Sequence, residues 1–102
     1  MGNLHLVFSS PWTGSALADC LRAAADGDAV LLLQDGVYAV AAGEQARALL
    51  AQAQQQQLPL HALTPDLQAR GLLIANGSHV RAVDDDGFVA LTERFARTVS
   101  WF

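Results

Sequence analysis

Short apolar segments alternate with amphipathic segments along the whole chain. Residues 3–8 and 29–33 are apolar runs followed by turn residues, and each predicts a strand. Between them, four residues recur at the i, i+3, i+4, i+7 spacing of one helix face: Leu17, Cys20, Leu21 and Ala24. The run 29–33 has no polar position, which predicts a strand covered on both faces in a parallel sheet. This alternation of strands and helices predicts a layered α/β fold.

The second half of the chain repeats the alternation. Residues 44–57 are rich in Ala, Gln and Leu and predict a helix, and residues 58–63 predict a third strand. Thr64 and Pro65 predict the start of a short helix, with Thr64 as its N-cap and Pro65 as its first residue. The remaining predictions are a strand over residues 79–83, a helix that begins at the aspartates 84–86, and a strand over residues 98–102. We therefore expect a mostly parallel sheet of about five strands with helices on both faces.

Composition narrows the class of protein. The chain has 102 residues, of which 52% are hydrophobic and 16% are charged, and its formal net charge is -4. This length predicts a single domain over residues 1–102, and the hydrophobicity excludes intrinsic disorder. All six basic residues are scattered arginines, so the dense basic patch of a non-specific nucleic-acid binder is absent. The lack of lysine excludes Schiff-base and P-loop lysine chemistry.

The sequence gives no signal for a membrane, a cofactor or a metal. Its longest apolar run, residues 37–42, is far shorter than the roughly 18 residues of a membrane helix. The opening MGNLHLVF has no secretory pattern, so we expect a cytoplasmic protein. The glycines form no nucleotide-binding motif, and the single cysteine excludes an intrachain disulfide and a cysteine-based metal site. His5, His61 and His79 are widely spaced, which favours hydrogen-bonded core or edge residues over metal ligands.

Two places carry candidate chemistry. Cys20 is the only soft nucleophile, and persulfide chemistry requires an accessible thiolate. Its place on an apolar stripe favours a small buried hydrophobe instead. Asp35 and Gly36 follow the second strand, at the carboxyl end of the sheet where sites form. We expect Gly36 to adopt a backbone angle costly for other residues, Asp35 to hold the turn, and Tyr38 to pack at a subunit contact.

An ordered set of short motifs spans essentially the whole chain. In chain order these are SPW at 10–12, GD at 27–28, LLLQDGVYA at 31–39, LTPDL at 63–67, ARG at 69–71, GFV at 87–89, LT at 91–92 and the late Trp101. Together, at this length, they resemble the DsrH/TusB family of sulfur-relay subunits. The resemblance implies a single DsrE-like domain, in agreement with the layered sheet that the pattern predicts.

The resemblance also implies a role. Family members work with two related sister subunits, TusC/TusD-like or DsrF/DsrE-like, in a hexamer that passes persulfide sulfur between carrier proteins. In the Tus branch the sulfur ends as 2-thiouridine at the wobble position of tRNA, and in the Dsr branch the complex serves dissimilatory sulfur oxidation. The catalytic cysteine belongs to a sister subunit, and we expect the loop of Asp35, Gly36 and Tyr38 to pack at a subunit contact or beside that cysteine. The resemblance thus implies a non-catalytic or accessory subunit that meets tRNA only indirectly, with Cys20 as a candidate accessory persulfide site because Dsr-branch subunits carry a cysteine at this place.

The tRNA branch is the favoured interpretation, and two alternatives from other classes stay open. A stand-alone enzyme would use Cys20 as a persulfide or redox nucleophile, and it would require an exposed thiol with a lowered pKa. A small homo-oligomeric ligand-binding domain would require a recognition motif that the sequence does not contain. The low charged fraction favours a subunit with an obligate interface, since such interfaces are depleted in charge.

Overall fold

The computed structural model describes residues 2–41 and 43–102. The strands in these residues are β1 (Asn3–Val7), β2 (Ala29–Leu32), β3 (Leu60–Leu63), β4 (Val80–Val83) and β5 (Arg97–Trp101). The α-helices are α1 (Ala16–Ala23), α2 (Glu44–Gln55), α3 (Thr64–Ala69) and α4 (Asp85–Arg94). A 3-10 helix, Gln34–Val40, follows β2 directly. The predicted strands and helices are therefore present at or near their predicted positions.

The five strands form one parallel sheet in the order β4-β3-β2-β1-β5. Strands β1 to β4 lie side by side in chain order, and β5 returns to pair with the free side of β1. The predicted parallel α/β sheet is confirmed. In open sheets of this kind, binding sites lie beyond the carboxyl ends of the strands, near the point where the strand order reverses. In this sheet that point is the end of β1.

A hydrophobic layer covers each face of the sheet. On one face α1, α2 and α3 pack against a core that includes Val30 and Leu32. On the other face α4 directs Leu91 into a core that includes Leu4 and Leu31. Successive residues of β2 thus enter opposite layers, and all of β2 is buried. This burial explains why the strand has no polar position.

Two local predictions are corrected by the structure. The segment after β2 is a 3-10 helix rather than a simple turn, and Ala42, at the end of the apolar run 37–42, lies outside the described residues. Thr64 is the first residue of α3 rather than its N-cap, because the helix follows β3 without a loop and Leu63 takes the capping position. The aspartates before α4 behave as predicted, since Asp84 caps the helix and accepts a hydrogen bond from the Gly87 N–H at 2.8 Å.

A buried hydrogen-bond network fastens β1 to its two neighbours. The Trp101 indole N–H donates to His5 Nδ1 at 3.0 Å, which leaves the ring proton on Nε2, 2.8 Å from Asp28 Oδ2. Asp28 also accepts from the backbone N–H groups of Asn3 and Ala25 at 2.9 and 3.0 Å. Burial acts to raise the pKa of Asp28, but these hydrogen bonds outweigh it and hold the pKa below its ordinary value. His5 is thus the hydrogen-bonded core histidine that the sequence predicts.

Candidate functional site

The loop after β1 brings an aromatic side chain to the carboxyl edge of the sheet. Ser10 is buried, and its Oγ accepts hydrogen bonds from the N–H groups of Trp12 and Thr13 at 3.3 and 3.2 Å. Gln45 of α2 donates its side-chain amide to the Pro11 carbonyl at 2.9 Å. Hydrogen bonds within the loop and from α2 thus hold the loop in place. The loop presents Trp12 with 52% of its surface exposed.

Gly36 allows the 3-10 helix to pack against the end of β1. The Leu33 N–H donates to the Val7 carbonyl at 3.1 Å, and the Gly36 N–H donates to the Leu33 carbonyl at 2.9 Å. A Cβ at Gly36 would lie 2.9 Å from the carbonyl carbon of Val7 and closer still to its oxygen, which real Cβ atoms essentially never do. The predicted reason for this glycine is therefore wrong. The left-handed residue is Gln34, at φ 51°, and Gly36 is required because two backbone segments meet there.

Two carboxylates and one guanidinium join the 3-10 helix to α3. Arg70 Nη2 lies 2.9 Å from Asp35 Oδ1, and Arg70 Nη1 donates to the backbone carbonyl of Asp66 at 3.1 Å. The Asp66 carboxylate accepts from the Gln34 N–H at 2.6 Å. The carboxylate that holds the turn through a backbone N–H is therefore that of Asp66. The prediction that Asp35 plays this part is wrong. Asp35 accepts from the Arg70 guanidinium instead.

Tyr38 lies between this ion pair and the loop after β1. Its ring centroid is 5.5 Å from that of Trp12, and the guanidinium carbon of Arg70 lies 5.9 Å from the Tyr38 ring centroid. We call Trp12, Asp35, Tyr38 and Arg70 the carboxyl-edge patch. Tryptophan, tyrosine and arginine are the residue types enriched at the energetic centres of protein interfaces. The patch therefore has the chemistry of a protein contact.

Only two of the four residues of this patch are predictable from the sequence as site residues. Asp35 and Tyr38 are singled out because they follow an apolar strand at the carboxyl edge. Trp12 and Arg70 enter only as letters of the family motifs, since their proximity to Tyr38 depends on how three loops meet in the fold. The one usable signal is that Trp12 and Arg70 also lie just beyond a strand or a short helix at this same edge.

Cys20 lies inside the core between α1 and the sheet. Its side chain is 0% exposed. Burial, and to a smaller extent the negative charge of Asp28, raises the pKa of the Cys20 thiol to about 12. In this conformation the thiol is protonated at neutral pH and inaccessible to a partner. The structure thus buries Cys20 in the core, whereas the carboxyl-edge patch lies at the surface.

Within the part of the chain that the structure describes, no three His, Cys, Asp or Glu side chains come together as a potential metal site. The described helices are also too short or too polar to cross a bilayer. The carboxyl-edge patch consists of two aromatic rings and an ion pair. Together these features define a small parallel α/β domain with aromatic and charged side chains at the carboxyl edge of its sheet and a buried thiol.

Comparisons with known proteins agree with this class. A family model described as DsrH like protein matches residues 9–98. Protein TusB of Pectobacterium parmentieri is 38% identical over 99 residues, which cover 96% of this chain and 99% of that protein. Protein TusB of Shigella dysenteriae serotype 1 (strain Sd197) is 36% identical over 98 residues, with coverage of 96% and 99%. This chain therefore belongs to the DsrH family, the sulfur-relay family that its motifs predict.

A solved structure gives the fold independently. The crystal structure of the ychN protein from E. coli superimposes with a TM-score of 0.73 and covers 98% of this chain and 99% of that chain. The two sequences are only 17% identical, so the likeness concerns the fold alone. It identifies the domain as DsrE-like, as predicted.

Proposed function

We propose that this chain is a non-catalytic subunit of a heterohexameric sulfurtransferase complex, which it forms with two related sister subunits. The complex relays persulfide sulfur between carrier proteins in the cytoplasm, and the sulfur is used for 2-thiolation of the tRNA wobble uridine. Membership of the DsrH family supports the sulfur-relay role. Similarity to proteins named TusB favours the tRNA branch over dissimilatory sulfur oxidation.

The burial of Cys20 is the observation that carries the non-catalytic assignment. The thiolate is the nucleophile in persulfide transfer, and with a pKa of about 12 roughly one thiol in 10⁵ is ionised at pH 7. The side chain also has no exposed surface through which a carrier protein could reach the sulfur. Sulfur transfer is thus left to a cysteine of a sister subunit. Cys20 itself acts as a small apolar residue of the core.

The carboxyl-edge patch is the surface that meets a sister subunit. Trp12 is half exposed, and Tyr38 is partly buried beside it, so both rings are already held before a partner arrives. Arg70 is 21% exposed and oriented by Asp35, which lowers the entropy lost when it is covered. Pre-ordered aromatic and arginine anchors of this kind contribute most of the energy of an interface.

A sulfur-transfer assay tests the assignment. The chain is co-expressed with its sister subunits, and transfer of labelled persulfide sulfur to a carrier protein is compared for wild type and Cys20→Ser. We expect the variant to assemble and to keep most of the transfer. Complete loss of transfer in a folded, fully assembled Cys20→Ser complex would contradict the proposal. Stoichiometric labelling of Cys20 in the isolated wild-type chain would instead favour the stand-alone thiol enzyme.

A cellular measurement tests the destination of the sulfur. Deletion of the gene should remove 2-thiouridine from the tRNA wobble position, as measured by mass spectrometry of nucleosides. Plasmids that carry wild type or Cys20→Ser should both restore it. Normal thiolation in the deletion strain, together with impaired sulfur oxidation, would assign the chain to the other branch.

A further inference from the structure

A second group of side chains lies at the amino ends of β3 and β4, far from the carboxyl-edge patch. His61 and Arg81 are paired in register on these neighbouring parallel strands, so their side chains project from the same face of the sheet. Together with His79 and Arg94 they line a cavity of about 320 Å³. This volume is at the lower end of the roughly 300–1,000 Å³ typical of small-molecule sites.

The two charged side chains that line this cavity, Arg81 and Arg94, are both positive. Among residues 2–41 and 43–102, neither Arg81 nor Arg94 forms an ion pair, whereas Arg22 and Arg70 both do. Burial, followed by the positive charges of Arg81 and Arg94, lowers the pKa of His61. The ring is therefore neutral at pH 7. Two guanidinium groups around a neutral imidazole attract an anion, even though the chain as a whole is acidic.

The two histidines each bury a ring nitrogen that has no partner. His61 Nδ1 and His79 Nε2 are shielded from solvent, and neither has a hydrogen-bond partner among the described residues. Buried polar atoms in native proteins are nearly always paired, and an unpaired one calls for an explanation. Both rings line the same cavity, so each lies beside any group bound there.

We propose that this cavity binds a tetrahedral oxyanion, either free phosphate or sulfate or the phosphate group of a larger ligand. Arg81 and Arg94 supply the charge and several N–H donors, and the imidazole rings of His61 and His79 supply further N–H donors. A metal ion fits less well, although a neutral imidazole is a good ligand. Two guanidinium groups oppose a dication, and the cavity contains no carboxylate or thiolate to complete a coordination shell.

Titration calorimetry with inorganic phosphate tests the site. The full chain, in the assembly in which it purifies, is titrated at constant ionic strength, and sulfate is titrated in parallel. We expect saturable binding that Arg81→Gln and Arg94→Gln each weaken about tenfold, the loss expected for one charge-assisted contact. Arg81→Lys should keep part of the affinity because it keeps the charge. Arg22→Gln is the matched control, since Arg22 is an exposed arginine on α1 paired with Asp19, and it should bind phosphate like wild type.

The imidazole signals give a second readout. Phosphate should shift the NMR resonances of His61 and His79 and leave the buried His5 unchanged. Equal weakening by Arg22→Gln, or no saturable binding, would overturn the proposal. Zn²⁺ binding that shifts the resonances of both histidines and is unaffected by Arg81→Gln would also overturn it.

A short RNA oligonucleotide, titrated in parallel, distinguishes a free oxyanion from a nucleic-acid phosphate. Loss of binding in Arg81→Gln supports the site in either case. None of these measurements depends on sulfur transfer, so their failure leaves the proposed function untouched.

Discussion

Replacing Gly36 with alanine tests how closely the 3-10 helix Gln34–Val40 approaches β1. The added Cβ would meet the carbonyl group of Val7, 2.9 Å from its carbon and nearer to its oxygen. The neighbour in this contact is backbone at the end of a central strand, so it cannot rotate away as a side chain would. The 3-10 helix must therefore shift outward from the sheet.

The cost of this shift follows from the contacts it disturbs. Forcing an extra carbon into a well-packed region costs about 1–3 kcal/mol. The same Val7 carbonyl accepts the hydrogen bond from Leu33, and such a bond contributes about 0.5–1.5 kcal/mol. We expect Gly36→Ala to lower the free energy of unfolding by about 2–4 kcal/mol. For a domain of this size, that change lowers Tm by roughly 10–20 °C.

Urea unfolding followed by circular dichroism measures this difference, with Gly14→Ala as the matched control. Gly14 also has an ordinary φ, but its added Cβ would be 3.8 Å from the nearest atom, Ser9 Oγ, so we expect a change within about 0.5 kcal/mol. Gly71→Ala isolates the effect of the backbone angle, since φ is +66° and no atom lies within 4 Å; we expect a loss of about 1 kcal/mol. Equal stability of Gly36→Ala and Gly14→Ala would refute the reasoning.

Three further predictions concern Cys20, Asp28 and Tyr38. Cys20→Ser should lower the free energy of unfolding by about 1–2 kcal/mol, because a hydroxyl replaces an apolar group in the core; a variant as stable as wild type in urea would contradict this. Because folding lowers the pKa of Asp28, its ionised form stabilises the fold above the unfolded pKa of about 3.9, and this stability is lost as pH falls through the lower folded value. Acid titration followed by circular dichroism should show that loss in wild type but not in Asp28→Asn. If wild type and Asp28→Asn lose stability in the same way as pH falls, this role of Asp28 is wrong. Tyr38→Ala should weaken association with the sister subunits about tenfold in sedimentation experiments. Gln55→Ala, at the exposed end of α2, is the control and should not weaken it. If both variants associate with the sister subunits equally well, Tyr38 is not part of the interface.

The fold was predictable because its signals are local. The unbroken apolar run of β2 indicates burial on both faces, and the spacing of Leu17 and Leu21 indicates the buried side of α1. The strand order was not predictable from these signals. Nothing in the periodicity of residues 97–101 shows that β5 pairs with β1 rather than with β4, since pairing is decided by contacts between distant parts of the chain.

The site residues differ in the same way, since some follow from their local position and others depend on how distant segments pack. Asp35 and Tyr38 are found from position, because a residue just after a buried parallel strand must lie at the carboxyl edge. The sequence pattern indicates that position 36 requires a glycine, but it points to the wrong cause. A backbone angle is a local property, whereas the approach to Val7 depends on how two segments pack. For the same reason the sequence does not reveal that His61 and Arg81 face one cavity.

The two surfaces of this domain lie at opposite ends of the sheet and on opposite faces. The carboxyl-edge patch is built on the 3-10 helix, which packs with α2 and α3, whereas the oxyanion cavity lies at the amino ends of β3 and β4, beside the end of α4. The buried strands between them are packed on both sides, and such a core does not deform continuously. Substitutions that share no partner are expected to be additive. A Tyr38→Ala, Arg81→Gln double variant should therefore lose association and phosphate binding by the same factors as the two single variants. A larger combined loss would mean that the sheet couples the two surfaces.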